Sequence, residues 1–231
     1  MTFGTRRPAR TAALNACLAL LLGMGCAGGG LGGGNRVVDG LKQALSIGTQ
    51  NAVAQTSQLG GYLDDPAIRI KLPGALDTMA KGLRLVGYGP QIDELYVGMN
   101  RAAEKAAGEA ADVFLLGIRQ MTFSDAMGIL NGGDTAATEY FERTTRGTLF
   151  QRFEPIVTDK MGEVGVVQDY DALVSRYTAL PFTKKPNLDL QDYVTNRALD
   201  GLFKVLGDEE RKIRTDAAAR VTPLLREVFG K

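Results

Sequence analysis

Two stretches of this chain gather polar residue types that can do chemistry. In the first, residues 121–141 (MTFSDAMGILNGGDTAATEYF), Asn131, Gly132, Gly133, Asp134, Thr135, Thr138 and Tyr140 crowd together. Consecutive glycines beside a helix start expose backbone N–H groups, and these can hold a carboxylate, a phosphate or a partner's carbonyl oxygen. Asp134 counts against an anion there, because a fixed carboxylate at the same helix start repels it. A polar partner segment or a neutral ligand fits better. The same residues also read as local structure. Thr122 and Asp125 have capping-box spacing, Asn131-Gly132-Gly133 suits a left-handed helix stop, and Asp134 suits an N-cap for the helix that follows.

The second group is Asn100, Arg101 and Glu104, on the side of an alanine-rich segment. It reads as a solvated or salt-bridged flank; if buried, Arg101 and Glu104 must pair, since an unpaired buried charge costs several kcal/mol. Asp93 with Glu94, and Glu209 with Glu210, are adjacent carboxylates of the kind that acid–base work or an oxygen-ligated cation uses. Neighbouring side chains on a helix diverge by about 100°, however, and the EERK run at 209–212 reads as exposed and self-paired.

Composition narrows the chemistry further. The chain has no His and no Trp, and its two cysteines are Cys17 and Cys26. Without His there is no Ser-His-Asp triad, no Cys-His nucleophile and no zinc site of the usual nitrogen and sulfur type. No metal and no cofactor is expected. Arg6, Arg7 and Arg10 precede an apolar run, 11–22, too short to span a bilayer, and Gly23-Met24-Gly25-Cys26 follows it. That order reads as a secretory signal over 1–25. It resembles the lipobox of bacterial lipoproteins, whose Cys is lipid-modified and becomes the new N-terminus, although Gly23 stands where such boxes usually carry Leu. Loss of three arginines with the signal leaves 24 basic against 26 acidic residues, a balance that makes no electrostatic case for nucleic acid. The partners expected are the membrane, through lipid on Cys26, and an envelope protein or small ligand. The location expected is periplasm-facing, anchored to the outer or inner membrane.

The elements that must position these groups are helical. Residues 27–35 (AGGGLGGGN) read as a tether reaching roughly 15 to 18 Å, and a single domain is expected over 36–231. Apolar positions three and four apart predict an all-α, multi-helix bundle. Val38, Leu41, Leu45 and Ala52 mark a first helix. Others are predicted at 75–86, from Pro90 with Ile92, Leu95, Met99, Ala102, Ala103 and Ala106 on its buried stripe, and at 109–120, 123–130, 135 to about 153, 166–178, 189–214 and 217–229. The long 189–214 helix is apolar around much of its girth and should be central. One short extended segment breaks the pattern near 67–72. There Ile68, Ile70 and Leu72 alternate with Arg69 and Lys71 between Pro66 and Pro73, as a strap over helices or a strand edge open to a partner.

Several long motifs in one order carry a family resemblance: GLKQAL at 40–45, DPAIRIKLP at 65–73, DELYVGMNRAAEKA at 93–106, the 121–141 stretch, YVTNRALDGLF at 193–203, EERKIR at 209–214 and the terminal LLREVFG. The chain resembles the bacterial domain-of-unknown-function family 4197, exported proteins with a mostly helical domain. Lys71 stands where a proline is expected. The resemblance implies a fold class but no activity, cofactor or catalytic residue. Two functions remain open, a lipid-anchored binding or scaffolding domain of the envelope and an enzyme using Asp, Glu, Arg, Tyr or Thr. A concave pocket joining the 131–140 and 100–104 groups would favour the enzyme; their separation would favour the binding domain.

Overall fold

The computed structural model describes residues 32–229 apart from 164, 182, 184 and 221, and these residues build an all-α bundle with no strand among them. In chain order the helices are α1 (Gly32–Ser57), α2 (Gly74–Leu85), α3 (Gly89–Ala107), α4 (Ala110–Gln120), α5 (Phe123–Leu130), α6 (Ala136–Glu163), α7 (Val166–Thr178), α8 (Leu190–Thr215) and α9 (Pro223–Phe229). Where a single helix was expected over 217–229, a 3-10 turn, Ala217–Ala219, precedes the shorter α9. Residues 1–31, with Cys26 and the signal-like run, lie outside the described residues. Helix α1 takes in the last four residues of the glycine tract read as a tether.

The centre is α8, which packs against α1, α3 and α6. Its Val194, Ala198, Leu199 and Leu202 are fully buried, as the wide apolar girth of its sequence requires. The alanines of α3 (Ala102, Ala103, Ala106, Ala107) are also fully buried, which lets neighbouring backbones approach closely. Phe114 of α4 stands edge-on to Phe141 of α6 and Phe203 of α8, with centroids 5.5 and 5.9 Å away, the preferred geometry for aromatic pairs. Among the described residues no single helix is long and apolar enough to cross a membrane; α4 and α5 are apolar enough together but bend by 106° between them.

Helix α6 corrects the expectation that a helix stops near Phe153. It continues through Pro155 to Glu163. Proline removes one backbone donor and strains the preceding turn, but Leu149, Phe153, Val157 and Met161 recur every four residues and are all fully buried. The packing of that stripe outweighs the local preference to stop.

The alternating segment is a strap. Its extended part spans 69–73, after a turn at 66–68, with Ile68 and Ile70 buried. It lies directly on α8: a Cβ on Gly201 would fall 2.6 Å from Tyr62 Cε1 and 3.1 Å from Ile68 Cβ, so only glycine allows this approach.

Candidate functional site

The corner at 131–140 is held together from a distance. Glu210 of α8 accepts the N–H groups of Ala137 (3.0 Å) and Thr138 (2.9 Å) and the Thr138 hydroxyl (2.9 Å). It is also paired with Arg214 at 2.9 Å, one helical turn away. Arg214 in turn donates to the Ile129 carbonyl at 2.8 Å. One ion pair, both members largely buried, therefore caps the carboxyl end of α5 with a cation and the amino end of α6 with an anion, which is the arrangement the two helix dipoles favour.

This arrangement corrects several expectations. Asp134 is exposed and makes no hydrogen bond among the described residues; the cap assigned to it belongs to Glu210. No left-handed stop forms at Asn131–Gly133. Asn131 is right-handed (φ −88°, ψ −3°), and the positive-φ glycines among the described residues are Gly60, Gly87 and Gly165. Gly132 is needed for room instead, because a Cβ there would sit 2.5 Å from that of Ala136. Its N–H bonds the Ile129 carbonyl at 3.2 Å. Thr135 donates to Glu139 at 3.0 Å. Tyr140 is buried against Phe141, and burial pushes its phenol above its usual range, with the Asp125 charge adding.

The helix start weighed as an anion site already holds the Glu210 carboxylate. The adjoining cavity, lined by Leu41, Leu45, Leu206 and Ile213 with Glu210 and Arg214 at its edge, has room for about 20 Å³, scarcely one water. The local capping box at Thr122 and Asp125 is present, with each residue bonded to the other's backbone N–H.

The second group is also turned inward. Asn100 is fully buried and treats the strap as a missing strand would: its Oδ1 accepts Ile70 N–H at 2.8 Å, and its Nδ2 donates to Ile70 C=O at 3.0 Å and to Tyr96 C=O at 2.9 Å. Glu104, buried, accepts Tyr62 N–H at 3.2 Å and Leu63 N–H at 3.1 Å, and pairs with Arg101 at 2.6 Å. The pairing required on burial is thus made. Tyr62, buried beside it, donates its hydroxyl to Ala198 C=O at 2.6 Å; burial first, and the Glu104 and Asp200 charges next, push its phenol far above the usual range.

The adjacent carboxylates do not form paired sites. Glu209 and Glu210, read as exposed, are both buried. They part company: Glu209 receives Asn51 at 3.0 Å and Lys212 at 2.5 Å, while Glu210 serves α6. Asp93 and Glu94 are exposed, and the Arg84 hydrogen bond holds the Asp93 carboxyl below its usual range. Nor do the two polar groups meet. The 61–63 turn and strap bear on α8 at Ala198 and Gly201, and the 131–138 corner bears on Glu210. Twelve residues of helix separate Ala198 from Glu210, about 18 Å.

Sequence reasoning placed Glu210 on an exposed surface and missed Arg214 and Tyr62. A signal for Glu210 was present: it lies four residues after Leu206 and three before Ile213, on the buried stripe of α8.

Residues 33–230 match the model of a family described as "Protein of unknown function (DUF4197)". No curated protein and no solved structure matches the chain.

Proposed function

The chain belongs to the DUF4197 family, and on that premise we propose that it is a lipid-anchored, periplasm-facing envelope domain that binds or scaffolds and does not catalyse. One observation carries the second half of this reading. The buried carboxylates and amide at the two candidate corners are committed to backbone groups of the protein itself, Glu210 to α6, Glu104 to the 61–63 turn and Asn100 to the strap. Those two corners stand on different levels of α8. A catalytic group must reach substrate, and these reach only their own chain. The anchoring half rests on the basic start, the short apolar run and Cys26. A lipoprotein cysteine carries more than one acyl chain, enough for stable membrane attachment where a single chain gives only marginal binding.

The test of anchoring is fractionation of cells carrying Cys26→Ser, with the mass of the N-terminal peptide of the wild-type protein. Release of the variant from the membrane fraction, and an acylated Cys26 peptide in the wild type, are expected. Unchanged membrane association of the variant overturns the anchor. For the other half, Arg101→Gln and Asp134→Asn are expected to leave envelope binding intact; loss of a measurable turnover in either variant would restore the enzyme.

A further inference from the structure

Between the strap and α8 lies an open groove with about 430 Å³ of room. Two different periodicities bring cations to it. Arg69 and Lys71 point outward from the strap because its side chains alternate, while Arg197 and Lys204 lie seven residues apart on one face of α8. Four cations therefore line it against one carboxylate, Asp200. That carboxylate is already held by Arg146 at 2.6 Å and Arg197 at 2.9 Å. Lys204 has Asp208 at 2.5 Å. Arg69 and Lys71 have no carboxylate partner among the described residues, and the Arg69 Nε, itself buried, has no hydrogen-bond acceptor there.

The strap's edges exclude a peptide strand as the occupant. Ile70 N–H and C=O are both taken by Asn100. On the other edge Arg69 N–H donates to Asp65 C=O at 2.8 Å, and Lys71 C=O accepts the Tyr193 hydroxyl at 2.8 Å. What remains open to the groove is mainly side-chain N–H, which suits a small, multiply charged oxyanion. We propose that this groove binds a small molecule bearing a phosphate group, held by Arg69, Lys71, Arg197 and Lys204.

A phosphate can come from a soluble metabolite or from a lipid headgroup. Helix α1 runs antiparallel to α8, with Asn51 meeting Glu209 and the early residues Leu41 and Ala44 meeting Ile213. From Ile213 back to Arg197 is about 24 Å along α8, so the groove lies toward the end of α1 remote from the chain's anchor. A soluble source is favoured, and this clause alone rests on the anchoring proposed above.

The test is calorimetric titration of the full-chain protein in neutral detergent at low salt with inorganic pyrophosphate, and separately with phosphatidylglycerol dissolved in the same detergent as mixed micelles. Saturable binding of pyrophosphate is expected, weakened about tenfold or more in Arg69→Gln and in Lys71→Gln and falling steeply with salt. The control Lys105→Gln should bind as the wild type does. Both strap variants should melt no lower than the wild type without pyrophosphate, since neither side chain forms an ion pair among the described residues. Absence of binding to both pyrophosphate and phosphatidylglycerol, or unchanged binding in the Arg69→Gln, Lys71→Gln double variant, overturns the site. Binding to phosphatidylglycerol but not to pyrophosphate, lost in the same double variant, overturns the soluble source. Fractionation of Cys26→Ser reads the anchor independently, so the two proposals fail separately.

Discussion

At the residue scale, Glu210 and Asp134 exchange the importance that their positions in the chain suggest. Glu210→Ala removes the acceptor for two α6 N–H groups and strands the largely buried Arg214, and a destabilisation of about 3 kcal/mol or more is expected. Asp134→Ala, at an exposed and unbonded side chain, should stay within about 0.5 kcal/mol of wild type. Urea denaturation of the two variants checks this; equal losses would mean that Asp134 is the cap after all. The glycines beside it divide in the same way. Gly132→Ala forces a Cβ to within 2.5 Å of the Ala136 Cβ and should cost about 1 to 3 kcal/mol, whereas Gly133→Ala meets nothing within 4 Å and should be nearly silent. Thermal melts of the pair separate crowding from turn conformation.

At the element scale, the strap stays extended without a partner strand because one amide side chain supplies the ladder bonds. Asn100→Ala would orphan both Ile70 backbone groups, and a loss of about 2 kcal/mol or more is expected. Exchange of the Ile70 amide should accelerate beyond that of the α8 core amides, since the strap opens before the bundle does. Asn100→Asp should not rescue it, because a carboxylate would face the Ile70 and Tyr96 carbonyls. Helix α5 offers an acid-sensitive case. The Thr122 hydroxyl first, and the Thr122 N–H next, hold the Asp125 carboxyl below its usual value of 3.8. A carboxyl lowered on folding contributes stability above pH 3.8, and that contribution is lost as pH falls through the folded-state value. Asp125→Asn should therefore lower stability at neutral pH and flatten the part of the acid limb below about pH 4, so that its profile converges with wild type at low pH. An acid limb identical to wild type would remove the capping box from the account.

At the scale of the whole molecule, α8 is both the centre of the core and the origin of the long-range caps. Its apolar face holds α1, α3 and α6 together, while Glu210 and Arg214 secure the α5–α6 corner. Stability on this design comes from an apolar core and internally satisfied polar groups. Chelator and reductant together should leave the melting temperature unmoved. A fall of several degrees with chelator alone would reveal an oxygen-ligated ion that contributes to the fold.

The helical class, the central place of 190–215 and the boundaries of α5 and α7 were legible in the sequence. They depend on apolar spacing and on capping residues within a turn or so of the helix end, such as Thr122 with Asp125. Residue types alone also removed His-based chemistry. What the sequence could not decide was which carboxylate meets which backbone. Glu210 reaches α6 across 72 and 73 residues, and Glu104 reaches the 61–63 turn across 41 and 42. Asp134 has the local spacing of a cap and Glu210 does not, yet Glu210 does the capping, because α8 packs against α6 and brings a desolvated carboxylate to the open N–H groups. The continuation of α6 through Pro155 and the meeting of Arg69 and Lys71 with Arg197 and Lys204 were decided in the same way. In each case the interaction exists only after the core has closed, and tertiary burial outweighs the local preference of the chain.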